Sequence, residues 1–154
     1  GLKYDKTRLK QLFSDISVMA VSTLKDIYAN NYLIKNKLDS YLIEYYLSEF
    51  DRKVCPKPIF YKNLKENLKK DINVINLVFD FELSLLSIML PLYKVKRAHK
   101  LIKYIESCYE TNIKDISSRC HELINLYSNN FNKKDFSKEF LNMVFLKVYY
   151  LLNN

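Results

Sequence analysis

"VINLVFDFELSLLSIMLPL", residues 74–92, is the most apolar run in the chain. Its apolar side chains fall on nearly every side of a helical wheel, so a helix here is buried from several directions at once. A stretch of this length and hydropathy also raises the question of a membrane span. Asp80, Glu82 and Pro91 interrupt it, and it reads as the central helix of a core. The two carboxylates stand two residues apart, so on a helix they face different ways. One is expected to point to solvent or to a buried Lys or Arg, which is structural ion pairing and not a paired-carboxylate active site.

Working outward, apolar residues recur at helical spacing almost everywhere. Upstream, helices are expected over 5–30 and 33–50. The first carries Leu9, Leu12, Ile16, Met19 and Leu24 on one face and ends at Ala29-Asn30-Asn31. The second turns Leu38, Leu42, Tyr45 and Tyr46 inward. Pro56 and Pro58 make the clearest break, followed by a short helix over 59–69 with Phe60, Leu64 and Leu68 along one side. The central helix is expected over 72–90, stopped at Leu90-Pro91. Downstream come helices over 94–109, 113–129 and 135–152. Ile113, Ile116, Cys120, Leu123, Ile124 and Tyr127 form one stripe of the sixth. Phe140, Met143, Val144, Leu146, Val148 and Tyr149 mark the last. Short connections join these helices into a single all-α domain spanning residues 1–154.

Composition agrees. The 154 residues are 49% hydrophobic, enough for one real core. A single Gly, at position 1, and three Pro argue against hairpin-rich β architecture and against a glycine-rich phosphate loop. Gly1 ahead of "LKYDK" is read as a cloning remnant on a piece of a longer protein. Cys55, Cys108 and Cys120 are an odd set without close spacing, which gives neither a disulfide framework nor a zinc signature. Cys108 and Cys120 read as small buried hydrophobes in a reducing compartment. His99 and His121 are the only histidines, and His121 and Cys120, being adjacent, diverge on a helix. No metallohydrolase, hydrolase or nucleotide-loop motif is present, and no cofactor is expected.

The formal charge is +8, from 25 Lys and Arg against 17 Asp and Glu. It favours anionic partners in general. The basic residues are scattered, as "YKVKRAHK" illustrates, and they read first as solvated helical faces, with nucleic-acid binding a weaker possibility. Thirteen Tyr and nine Phe with no Trp are more informative. Tyr is at home on protein interfaces. Tyr61 and Tyr104 stand beside lysines at positions expected to be half exposed, where an aromatic groove with a basic rim suits an acidic, partly apolar peptide.

The order "LSLLSIMLPL", "HKLIKYIESCYETN", "IKDISSRCHELINLY" resembles the N-terminal domain of transcription factor TFIIS and its relatives. Leu90-Pro91, then Leu101, Ile102, Tyr104 and Ile105, then Ile116, Leu123, Ile124 and Tyr127 occupy the family positions. Tyr127 replaces the usual Trp, and Ala98-His99-Lys100 stands where a glycine is usual. Upstream, Lys35, Leu42, Ile43, Phe60, Tyr61, Leu64 and Leu68 resemble the Iws/Spn branch, so the family-like core covers about residues 34–127. The resemblance implies a right-handed, HEAT/ARM-like superhelical stack of about seven or eight helices. It implies a nuclear, non-enzymatic module that binds a segment of the elongation factor and histone chaperone Spt-six during RNA polymerase II transcription. It places Lys35, Tyr61 and Tyr104 on or near the partner surface. The alternative is a viral Bcl-like apoptosis regulator, in which residues 74–90 are the central helix and an apolar groove takes an amphipathic pro-apoptotic helix. The family's Asn-Trp-Gly-Arg signature is absent.

Overall fold

The computed structural model describes residues 4–52, 66, 67, 71–109, 116 and 133–153. Everything described is helix, turn or short connection, and the fold is all-α. The described helices are α1 (Lys6–Lys35), α2 (Asp39–Arg52), α3 (Ile72–Leu92), α4 (His99–Tyr109) and α5 (Lys133–Asn153), with a 3-10 turn over Lys96–Ala98. The helices expected over 59–69 and 113–129 lie almost wholly outside the described residues. Ile116 is the described member of the second, and it is buried.

α3 is the centre. Ile75, Val78, Phe79, Leu83, Leu86, Met89 and Leu92 are all buried, on several sides of the helix. By length and composition it could cross a membrane, and here it is the core. Asp71 caps its start, accepting from the Asn73 amide at 2.9 Å. The main helix–helix contact is between α1 and α3. α1 supplies Leu12, Ile16, Ala20, Leu24 and Ile27, and the fully buried Ala20 keeps that seam narrow. α5 brings Phe136, Phe140, Val144 and Val148, one ridge at four-residue spacing. α4 closes the core with Leu101, Ile102, Ile105 and Cys108.

Several local expectations need correcting. α1 does not end at residues 29–31 but runs to Lys35. Asn30 is buried with both amide hydrogens engaged, so it does not act as a helix breaker. Pro91 does not stop α3 but sits inside its last turn. Proline has no N–H, so the Ser87 carbonyl four residues back lacks its normal donor. Asn30 Nδ2 fills that gap at 2.9 Å. Leu38 and Tyr45 are not inward: they are 38% and 59% exposed. On α5, Leu146 and Tyr149 are exposed and Phe136 takes their place in the core. In each case the apolar set was wider than the buried stripe, and neighbouring helices selected which part of it to cover.

The carboxylates divide as their spacing implies. Asp80 is exposed, whereas Glu82 is buried and pairs with Lys147 of α5. Lys147 Nζ also donates to the Ile116 carbonyl at 2.9 Å and lies 5.8 Å from the centroid of the Phe79 ring. One lysine thereby ties α5 to the central helix and to residue 116. Cys108 corrects another expectation, because it is disulfide-bonded. The other cysteines, Cys55 and Cys120, lie outside the described residues.

Candidate functional site

α1 ends in a turn that aims α2. The Lys37 amide donates to the Ile34 carbonyl at 3.0 Å and the Leu38 amide to the Leu33 carbonyl at 2.9 Å. That pair of bonds is a Schellman closure of the helix. It requires a left-handed residue just past the C-cap Asn36, and Lys37 takes it, with φ 60°. Glycine has no steric penalty there and lysine does, so the turn holds about 1–2 kcal/mol of strain.

Leu38, just ahead of α2, and Tyr41 and Tyr45 within it recur at i, i+3 and i+7. All three are exposed, Tyr41 by 70%. Tyr32, in the last stretch of α1, is 67% exposed. Leu42, Ile43 and Tyr46 take the opposite side, where Leu42 and Ile43 are buried. Tyr46 receives the second hydrogen of Asn30 Nδ2 at 2.9 Å. Burial pushes the Tyr46 hydroxyl above its ordinary range of about 10, the Asn30 hydrogen bond pulls the other way, and the Asp26 and Tyr45 charges add to the rise. Tyr45 stacks edge-on against Tyr46, with centroids 5.2 Å apart. The exposed row is therefore backed by a hydrogen-bonded layer.

Of the residues singled out from sequence, Lys35 is exposed at the C-terminus of α1, one position before the strained turn. Tyr104 lies mid-α4 and is half-buried. α2 packs against both α1 and α4, so it is the element common to the two. Tyr61 lies outside the described residues. Arg97 lies 3.9 Å from Asp39 at the start of α2, so the 3-10 turn stands at the same corner. The exposed row of Leu38, Tyr41 and Tyr45 was missed because Leu38 and Tyr45 were assigned to the core and Tyr41 was not singled out. Their i, i+3, i+7 spacing was visible, but spacing does not say which of two apolar stripes faces inward. Among the described residues, no group of three or more His, Cys, Asp or Glu side chains is placed to hold a metal.

No protein-family model, curated protein or solved structure significantly matches the chain. The resemblance to the TFIIS N-terminal domain therefore rests on the residues quoted for it.

Proposed function

We propose that this chain is a non-enzymatic protein-interaction module whose docking face is the α1–α2 corner. The observation that carries this reading is the exposed row of Leu38, Tyr41 and Tyr45 beside a strained turn. Tyrosine offers a large, stiff, amphipathic contact at low entropic cost. Lys35 and Lys37 flank the row and would speed the approach of an acidic partner.

In its specific form the partner is a segment of an Spt-six-like elongation factor, the helices stack as a right-handed superhelix, and the setting is RNA polymerase II transcription in the nucleus. The exposure of Lys35 and the partial exposure of Tyr104 support it. The disulfide at Cys108 weighs against it, since disulfides are rare in reducing compartments such as the nucleus. The Bcl-like alternative is favoured by one feature, an apolar helix at the centre of the fold with α1 as its main neighbour.

Calorimetric titration against two peptide classes separates the forms. An acidic, partly apolar Spt-six-type segment should bind the elongation module, with affinity lost in Lys35→Asn and Tyr104→Ala. An amphipathic pro-apoptotic helix should bind the Bcl-like one. Heat from neither class would remove both forms.

A further inference from the structure

Much of the positive charge of this chain sits in one short stretch. Between Leu83 and Ile105 there is no acidic residue, while Lys94, Lys96, Arg97, Lys100 and Lys103 fall within ten residues, with His99 among them. With no acid between them, these five cations supply five of the eight excess charges. All six side chains are exposed.

The fold gathers them on one surface. Leu101, Ile102, Ile105 and Cys108 take the buried side of α4. His99, Lys100 and Lys103 take the opposite side, as the 3.6-residue turn requires. The 3-10 turn over Lys96–Ala98 runs straight into this helix. Ala98 is turned into the core, and Lys96 and Arg97 face outward. At about 2 Å per residue in the turn and about 1.5 Å in the helix, the six side chains spring from a stretch about 16 Å long.

Little neutralises this patch. Arg97 lies 3.9 Å from Asp39, but its side chain is 74% exposed, so water screens most of the attraction. Among the described residues, Lys94, Lys96, Lys100 and Lys103 have no ion-pair partner. Glu106, the next acid along the chain, is half-buried. Nor does the patch carry apolar anchors. Val95 is half-buried, and Ala98, Leu101 and Ile102 are buried, so every apolar side chain within residues 94–103 is at least partly covered. A polypeptide partner is held mainly by apolar and aromatic anchors. A helix face that docks on a bilayer sinks an apolar side into it. Neither kind of partner finds its main contact here, whereas a nucleic-acid backbone is held largely by charge alone.

We propose that the Lys94–Lys103 surface binds the phosphate backbone of duplex nucleic acid without reading its sequence. A duplex carries about one charge per 1.7 Å of axis, so a length equal to the patch offers more phosphates than there are cations to meet them. Lysine suits such contacts, because its point charge on a flexible stem follows phosphates without fixing a register. The surface is distinct from the exposed row of α2. Asp39 faces Arg97, and Tyr41, two residues on, points to nearly the opposite side of the helix. The proposal therefore does not depend on the interaction reading.

The test is fluorescence anisotropy of labelled, mixed-sequence DNA and RNA duplexes titrated with the intact chain between about 50 and 200 mM salt. Log affinity should fall against log salt with a slope of about −4, as five phosphate contacts imply. Lys100→Gln/Lys103→Gln should weaken binding and make the slope shallower by about 2. Lys6→Gln/Lys10→Gln removes the same charge from exposed positions on α1 and should leave the slope unchanged. All four lysines are exposed, so neither variant disturbs the core. Tighter binding of one duplex identifies DNA or RNA as the source, and equal binding identifies the phosphodiester backbone common to both. Equal losses in the two variants would show diffuse attraction to net charge and overturn the proposal. So would binding to phosphatidylserine vesicles or to polyglutamate as tight as to the duplexes, or no binding to either duplex at the lowest salt.

Discussion

Asn30 of α1 donates to the carbonyl of Ser87 in α3, the group that Pro91 leaves without its helical partner. A proline near the end of the central helix is thus tolerated because a polar side chain from another helix completes the ladder. The same amide reaches Tyr46 of α2, so three helices meet at one nitrogen. Asn30→Ala should lower stability by about 2–3 kcal/mol, since it strands a buried carbonyl and leaves a partly buried hydroxyl without this donor. In a Pro91→Ala background the backbone N–H returns and the Asn30→Ala loss should shrink by about 1 kcal/mol. Urea unfolding of the four proteins gives that coupling directly, and additive losses would show that the two residues are independent.

Tyr46 makes stability depend on alkaline pH. Its folded pKa is raised, chiefly by burial, so the folded state holds this proton more tightly than the unfolded chain does. That contribution is complete below the unfolded value of about 10 and is lost as pH rises from there through the folded value. Other tyrosines and lysines titrate in the same window, so the comparison needed is with Tyr46→Phe. The phenylalanine variant should lose stability less steeply above about pH 10. Parallel curves for the two proteins would contradict the assignment.

The Glu82–Lys147 pair tests how α5 is held. Lys147→Met leaves the buried Glu82 without this cation and the Ile116 carbonyl without this donor. About 2–4 kcal/mol should be lost, while the double variant Glu82→Leu/Lys147→Met should recover most of it. Denaturant midpoints measure both, and a double variant no better than the single one would mean that the charges themselves are needed.

At the α1–α2 turn, Lys37→Gly should raise stability by up to about 1 kcal/mol, because glycine adopts the left-handed conformation freely while losing some entropy on folding. Lys37→Val should lower it. Thermal melts of the two variants check the sign. A loss with glycine would mean that the lysine side chain contributes more than the strain removes.

The central helix was legible because residues 74–92 are apolar on nearly every side and form the most apolar run in the chain. That Asp80 and Glu82 face different ways was legible from spacing, but which of them is buried was not, because Lys147 is far away in sequence. What escaped depended on partners far away in sequence. Asn30 looks like a helix terminator until Pro91 supplies a carbonyl for it to cap. Leu38 and Tyr45 look like core alongside Leu42 and Tyr46 until α2 is seen to bury only Leu42 and Ile43 and to half-bury Tyr46. The disulfide at Cys108 was hidden because three cysteines without close spacing imply no pairing. Lys37 carried no local signal, since only glycine or asparagine advertises a left-handed residue.

The docking role of the α1–α2 corner is most directly tested by capture from an extract of the source organism. The intact chain is set beside Tyr41→Ala/Tyr45→Ala and beside Leu146→Ala/Tyr149→Ala, whose exposed side chains lie on α5. A protein retained by the intact chain and by the α5 variant, but lost from the α2 variant by tenfold or more at about 2 kcal/mol per anchor, is the expected result. Equal retention by all three, or loss confined to the α5 variant, would place the binding surface elsewhere.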